Sequence, residues 1–366
     1  MLINDKKSEN LIMELKDLGF NGWFQERFKE SQQLEYILAR VTAVNKDNYI
    51  IRNEEAEIPA EITGKIMYGA ESNLAFPTVG DWVYVQYFDE DTFAIIHEIL
   101  PRKSLLKRKM AGKKIEYQLI ASNIDIAFIV QSNDFNFNLR RLERYLIMAN
   151  DSNIKPVILL SKSDLISSEN LKRNILVIKS MNQNYEIIAF SNKTGEGLDE
   201  IQRLIKRGKT YCLLGSSGVG KTTLLNRLIG ENIFATSAVR EKDGKGRYTT
   251  ARRQLTILEQ GGLIIDTPGI RELGNIGVNT GLNETFVDII TLTKDCRFKN
   301  CTHINEPGCS VLEAVEKREL NSERYQNYLK LRKESEYNEM SYLEKRRKDK
   351  KFGRLCKEVM KNIKKR

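Results

Sequence analysis

Gly215-Ser216-Ser217-Gly218-Val219-Gly220-Lys221-Thr222, continued by Thr223, combines residue types that can hold the phosphates of a nucleotide. The glycines let backbone N–H groups turn toward phosphate oxygens, and the helix that follows adds positive potential at its N-terminus. Lys221 would reach the terminal phosphates and Thr222 would offer its hydroxyl to Mg²⁺. Roughly 45 residues later, Asp266-Thr267-Pro268-Gly269 supplies a carboxylate for the Mg²⁺ shell and, at Gly269, an N–H for the γ-phosphate. Between them, Lys242 to Thr250 is polar and glycine-bearing, as a switch loop is. Thr249 or Thr250 would complete the Mg²⁺ shell there, with an ordinary surface loop as the alternative.

Two segments upstream carry base-reading chemistry. Ser161-Lys162-Ser163-Asp164 resembles N-K-x-D. A carboxylate at Asp164 accepts hydrogen bonds from guanine N1–H and the exocyclic amine, a pair adenine lacks, while Lys162 lays its methylene stem along the base. Ser161 in place of asparagine predicts the loss of an amide that braces the phosphate loop. Ser191-Asn192-Lys193 matches S-A-K with asparagine for alanine, leaving the Asn192 N–H for guanine O6. The set favours GTP and disfavours a general ATPase.

The order of these segments is inverted. Ordinary small GTPases open on the phosphate loop and close on the base-reading segments, whereas here both base-reading segments come first. A circularly permuted GTPase is therefore expected, with the end of its hydrolysis segment running shortly into the cysteine cluster. Ile270 stands where Ras-like enzymes place a water-positioning glutamine, so hydrolysis is expected to be slow until a partner supplies the missing group.

Cys296-x4-Cys301-x-His303-x5-Cys309 offers three thiolates and an imidazole, enough to close a tetrahedral shell around one structural Zn²⁺. Cys212 and Cys356 read as free thiols, and His97 as a packed or surface residue of a strand.

Apolar runs place these groups. Ile124 to Val130, Val157 to Leu160, Ile187 to Phe190, Tyr211 to Leu214, Leu255 to Leu258 and Leu263 to Ile265 read as strands, with Leu139 to Met148 a helix between the first two. This is an α/β doubly wound sheet. Ahead of it, Tyr36 to Val44, Tyr49 to Ile51, Ala60 to Ile62, Val79 to Tyr87 and Phe93 to Ile99 are short strands that suit an OB-fold β-barrel. An SH3-like barrel or a plain sandwich fits the same periodicity.

The expected organisation is an N-terminal helical arm over 1–33, an OB-fold RNA-binding domain over 34–103 and a permuted P-loop GTPase domain over 104–275. Arg102 to Lys109 reads as a basic linker at that join. A zinc-binding helical domain over 276–344 and a basic C-terminal tail over 345–366 complete it.

The net charge of +10 sits in that tail: twelve Lys/Arg against two acids, leaving 47 of each sign in the other 344 residues. Such a surplus suits an RNA phosphate contact; a solvated tail without a partner is the alternative. Five cysteines in 366 residues do not make a disulfide framework. The stretch Met1 to Lys7 lacks the apolar run of a signal peptide, so a cytoplasmic, membrane-free chain is expected.

Taken together, the permuted motif order, the barrel before it and the C-x4-C-x-H-x5-C cluster after it resemble the RsgA family, also called YjeQ or YloQ. Asn138 to Tyr145 and Glu306-Pro307-Gly308-Cys309 are similar to that family too, and the likeness spans about residues 34 to 315. It implies a monomeric GTPase that binds the 30S ribosomal subunit and its 16S rRNA late in assembly. It also implies hydrolysis of GTP to GDP stimulated by the subunit, and release on hydrolysis. Two positions depart from the family pattern: Tyr248 stands where a histidine is common, and Ser161 where asparagine or threonine is usual. Tyr248 and Ile270 favour a second reading, a non-catalytic, nucleotide-gated RNA chaperone or assembly placeholder.

Overall fold

The computed structural model describes residues 14–27, 36–45, 48–110, 117–230, 253–266, 279–340, 343–348, 350, 354 and 360. Residues 15–19 of the expected helical arm form turns, and the arm's one described helix is the short α1 (Gly22–Gln25), capped by the Asn21 side chain. Leu18 and Phe24 are buried against Trp82 and Leu100, so this segment packs on the barrel.

The barrel is built from β1 (Ile37–Val44), β2 (Tyr49–Arg52) and β3 (Glu57–Ile62), then α2 (Gly64–Gly69), β4 (Trp82–Phe88) and β5 (Phe93–Ile99). Alternate side chains of β3 are buried, the period-2 signature of a sheet with one face inward. The strands follow the order β1-β2-β3-β5-β4, and β4 pairs back onto β1. That closure excludes a sandwich, and the parallel pairing of β3 with β5 around α2 gives the OB topology. Val41, Ile51, Ile58, Val85 and Ile96 fill the interior.

The expected basic linker forms the first strand of a β-hairpin instead. β6 (Leu105–Lys109) pairs antiparallel with β7 (Tyr117–Ser122), and buried Leu106 and Ile120 join the core of the following domain. Basic residues in Leu105-Leu106-Lys107-Arg108-Lys109 hide the strand because only one face is buried.

The nucleotide domain contains β8 (Ile126–Ser132), α3 (Leu139–Asp151), β9 (Lys155–Ser161), α4 (Ser168–Met181) and β10 (Glu186–Ala189). It continues through α5 (Leu198–Leu204), β11 (Thr210–Leu214), α6 (Lys221–Ile229), β12 (Arg253–Ile257) and β13 (Leu263–Asp266). Spatial order is β10-β9-β8-β11-β13-β12, parallel except for edge strand β12. Central strands buried on both faces explain their unbroken apolar runs. On one face Leu142, Leu146 and Ile178 of α3 and α4 cover the sheet; on the other Ile201, Leu224 and Leu228 of α5 and α6 do.

α7 (Asn279–Thr285), α8 (Val287–Thr293), α9 (Ser310–Glu316) and α10 (Ser322–Glu339) follow, around a core that takes Ile147 from α3. Residues 343–348 are helical. Among the described residues no helix is long and apolar enough to cross a membrane.

Two devices join barrel and nucleotide domain. Ala43 and Val44 of β1 pair with Gln254 and Arg253 of β12, making one continuous sheet. Arg40 of β1, 1% exposed, donates to the carbonyls of Leu18, Gly80 and Asn123 and to Thr210 Oγ1 of β11. Burial pulls its guanidinium down to about 10, still far above neutrality, so it stays charged.

Candidate functional site

Every described nucleotide segment leaves the C-terminal end of a parallel strand, the edge at which doubly wound sheets hold ligands. β11 runs into the phosphate loop, β13 ends on Asp266, β9 ends on Ser161, and β10 leads to Ser191. Because Cys212 pairs with Ile265, Asp266 stands level with the strand end that launches Gly215.

Two glycines shape the loop. Gly215 has φ +147°, and a Cβ there would lie 2.4 Å from the Val130 carbonyl; Gly220 has φ +95°, and a Cβ there would lie 2.8 Å from Asn192 Nδ2. Lys221 Nζ donates to the carbonyls of Gly215 at 2.7 Å and Ser216 at 2.6 Å, which holds the ammonium over the loop. Lys221, Thr222 and Thr223 form the first turn of α6, where N–H groups point outward, and Gly218 and buried Val219 sit in the turn just before it.

Ser161 braces this loop after all. Its buried Oγ donates to the Val219 carbonyl at 2.6 Å, and Asn192 Nδ2 donates to the Gly220 carbonyl at 3.0 Å. A hydroxyl therefore makes the contact expected to be lost, because the end of β9 lies within its short reach, and the asparagine of the second base-reading segment adds another.

The two base-reading segments are joined by one bond. Ser191 Oγ donates to Asp164 Oδ1 at 2.6 Å and accepts the N–H groups of Lys193 and Thr194, both at 3.1 Å. This fixes the exposed carboxylate at the surface of the site. Ser163 N–H donates to the Phe190 carbonyl, tying the same turn to the end of β10. Lys162 adopts a left-handed backbone and its ammonium meets Asp134 at 2.6 Å. Burial pushes the Asp134 carboxyl up, but hydrogen bonds from Lys162, Ser132 and Asn136 outweigh it and hold the group below its ordinary value.

Ser163 Oγ, Asn192 Oδ1 and Ser216 Oγ, one from each of three segments, are buried with no partner among the described residues. Unpartnered polar atoms on the three segments, beside a phosphate loop that holds Lys221 over its carbonyls, fit a phosphorylated purine. Thr249, Thr250 and Gly269, with Tyr248, Thr267, Pro268 and Ile270, lie outside the described residues. So does Cys356, whereas Cys212 is buried in β11 with its thiol pushed up to about 12 by burial. His97 is half-buried, its ring tilted 31° against Tyr36 with centroids 4.4 Å apart.

The four expected metal ligands come together. One ligand atom from each of Cys296, Cys301, His303 and Cys309 lies within 4.8 Å of the others. His303 Nδ1 is 3.6 Å from Cys296 Sγ and 3.5 Å from Cys309 Sγ, and the two sulfurs are 3.9 Å apart. A tetrahedron with Zn–S of about 2.3 Å and Zn–N of about 2.0 Å has edges of roughly 3.5–3.8 Å. The cluster can therefore hold a zinc ion. Burial and the neighbouring thiols push Cys301 up to about 11, so a cation at the centre is what would favour its thiolate. The Glu306 carboxylate orders the ligand loop by accepting the N–H groups of Thr302, Ile304 and Asn305 at 2.8–3.2 Å.

Sequence reasoning missed the clamp behind this cluster. Glu143 of α3, 3% exposed, accepts from Arg324 Nη1 at 2.5 Å and from Asn327 of α10. Arg324 also grips Asp288 with two bonds of 2.6 and 2.7 Å, and Arg144 pairs with Glu334. The available signal was a carboxylate set among the apolar residues Leu142, Leu146 and Ile147 of one helix.

The profile of the RsgA GTPase family matches residues 99–276. The chain is 43% identical to the small ribosomal subunit biogenesis GTPase RsgA 2 of Lactiplantibacillus plantarum over 90% of its length and 92% of that protein. It is 38% identical to RsgA 1 of the same description from Bacteroides thetaiotaomicron, over 95% and 98%. Among solved structures, YjeQ from Thermotoga maritima superposes with a TM-score of 0.61 at 27% identity, covering 82% of this chain and 98% of that one. YloQ, described as a circularly permuted GTPase, gives 0.60 at 24% identity over 86% and 99%, a likeness of fold. With relatives of that identity along nearly its whole length, the chain belongs to the RsgA family of GTPases and is a GTP-hydrolysing enzyme.

Proposed function

We propose that this GTPase acts in biogenesis of the small ribosomal subunit, binding the 30S particle through its 16S rRNA late in assembly and leaving when GTP is hydrolysed. The observation that supports the reading is identity of 36–43% to eight proteins named as small ribosomal subunit biogenesis GTPases; the rRNA contact, the late step and release on hydrolysis are the proposal's own. An OB barrel sharing a sheet with the nucleotide domain, and a tail holding the whole net charge, support an RNA partner.

In the proposed site, the loop from Gly215 to Gly220 and the N-terminal turn of α6 cradle the phosphates, and Lys221 turns from its carbonyls to the terminal ones. Thr222 and Asp266, with Thr249 or Thr250, would hold Mg²⁺, which neutralises phosphate charge as the γ-phosphoryl group departs. The Gly269 N–H would meet that group. Asp164, held by Ser191, reads guanine N1–H and the amine; Lys162 lies along the base; Asn192 and Lys193 close its O6 side. Cys296, Cys301, His303 and Cys309 would hold one structural Zn²⁺. The domain limits 1–33, 34–103, 104–275, 276–344 and 345–366 carry over as part of the proposal, as do the monomeric state and a cytoplasmic place of action.

Without the subunit, turnover is slow, because Ile270 is aliphatic where a water-orienting group is needed. The test is GTP turnover with and without purified 30S subunits, with Lys221→Ala as control. A large, Lys221-dependent rise on adding subunits is expected. Equal turnover across a range of salt and magnesium would remove the reading.

A further inference from the structure

Asp134 lies on the loop that leaves β8, outside every segment the sequence motifs mark. Its carboxylate is 9% exposed and takes Lys162 Nζ at 2.6 Å on one oxygen. The other oxygen accepts Ser132 Oγ at 2.8 Å and the Asn136 N–H at 3.0 Å. Asn136 is itself fixed, because its carbonyl accepts Gln131 Nε2 at 3.0 Å and its side-chain oxygen accepts Arg141 Nη2 at 2.9 Å. The carboxylate therefore has no freedom to rotate away.

Lys162 is held at its other end as well. Its neighbours Ser161 and Ser163 are buried, the first bonded to the Val219 carbonyl and the second to the Phe190 carbonyl. With backbone and ammonium both anchored, the four-carbon stem between them is held at both ends as an apolar rail. A lysine left free would have to lose its rotamer freedom when a base settled on it, at a cost of on the order of ten-fold in an equilibrium.

We propose that Asp134 is a positioning residue for nucleotide binding, holding the Lys162 stem in the orientation on which the guanine ring lies. The proposal rests on the reading of Ser161 to Asp164 as the base-reading segment. Asp134 touches no nucleotide atom; it meets the ordering cost of Lys162 before the nucleotide arrives. Its effect is on retention of the nucleotide, and guanine selectivity stays with Asp164.

The test is a double-mutant cycle read by dissociation of fluorescent GDP from the full-length protein, with thermal midpoints recorded in parallel. Asp134→Ala is expected to weaken binding about ten-fold, chiefly through faster release. Asp134→Asn, which keeps acceptors for Ser132 and Asn136 and loses the charge, is expected to do the same with an unchanged midpoint. Lys162→Met keeps an apolar stem without its ammonium, and adding Asp134→Ala to it should cost nothing further. A full ten-fold loss from Asp134→Ala in the Lys162→Met background would overturn the proposal, as would unchanged release in both Asp134 variants. Asp164→Asn checks the underlying reading separately. A shift of preference toward xanthosine nucleotide supports it, and no shift overturns that reading and this proposal with it.

Discussion

Asp151 offers a test in which the sign of a pH effect follows from the packing. It ends α3 where α7 lies closest: a Cβ added at Gly281 would stand 2.4 Å from the Ile147 carbonyl and 2.8 Å from Asp151 Cβ. The carboxylate takes the Gly281 N–H, yet its Oδ1 is buried with no partner among the described residues. Burial dominates and pushes the group up to about 6; Glu284 adds repulsion, while Lys107 and the Gly281 N–H pull the other way. In the unfolded chain an aspartate titrates near 3.9, so between the two values the folded state binds more protons. Its contribution to stability is therefore full below about pH 4 and is lost as pH rises through about 6. The gap corresponds to about 3 kcal/mol at about 1.36 kcal/mol per pH unit, and screening at this partly exposed site reduces it to about 1–2 kcal/mol. Asp151→Asn keeps the shape and removes the charge. It is expected to stabilise the protein by that amount at pH 7.5 and by roughly a third of it at pH 4.5, read from urea midpoints at each pH. A variant no more stable than the parent at pH 7.5, or one with the same pH slope, would show that burial does not govern this carboxylate.

Glu143→Ala removes the acceptor for Arg324 and Asn327; because Arg324 keeps both bonds to Asp288, the cost should fall at about 2–3 kcal/mol, below that of a fully broken buried pair. Hydrogen exchange should show α10 losing protection before α3 does. Ser161→Ala deprives the Val219 carbonyl of its 2.6 Å donor, and with Asn192 still bracing Gly220 the loss should be about 1–2 kcal/mol. Faster GDP release by about ten-fold is the expected result, and unchanged release would mean the hydroxyl does not brace the loop.

Legibility in the sequence tracked how local each cause was. Val157 to Leu160 and Tyr211 to Leu214 read as strands because burial on both faces leaves continuous apolar runs. The cysteine cluster was legible because all four ligands lie within one short stretch. Arg40 was not, since its burial depends on carbonyls of residues 18, 80 and 123 and a hydroxyl at 210, brought together only by the fold. Ser161 shows the limit most plainly. Residue type predicted a lost brace, and the outcome was decided by how near the Val219 carbonyl lies to the end of β9.

The same distinction bears on what the permutation accomplishes. Along the chain, the nearest neighbour of Asp266 is the cysteine-bearing helical region, which suggests that movement at the hydrolysis segment passes there. Across the sheet the relation differs. Gln254 of β12 pairs with Asp266 on one side and with Ala43 of β1 on the other, so the barrel lies one strand away from that carboxylate. Among the described residues the pairing of β1 with β12 joins Ala43 to Gln254 and Val44 to Arg253, both at the nucleotide end of β12. A shift of β12 beside the nucleotide must therefore either carry β1 with it or break that short ladder. The helical region is attached elsewhere, along α3 from Glu143 and Arg144 to Asn150 and Asp151. Barrel and helical region thus meet the nucleotide domain at separate places, the barrel at β12 and the helical region along α3. Arg40 fixes the barrel a second time, at Thr210 where β11 begins, away from the nucleotide edge. Motion that starts at Asp266 therefore meets a barrel held by buried Arg40 at its far end and, among the described residues, by the Ala43–Gln254 and Val44–Arg253 pairs at its near end.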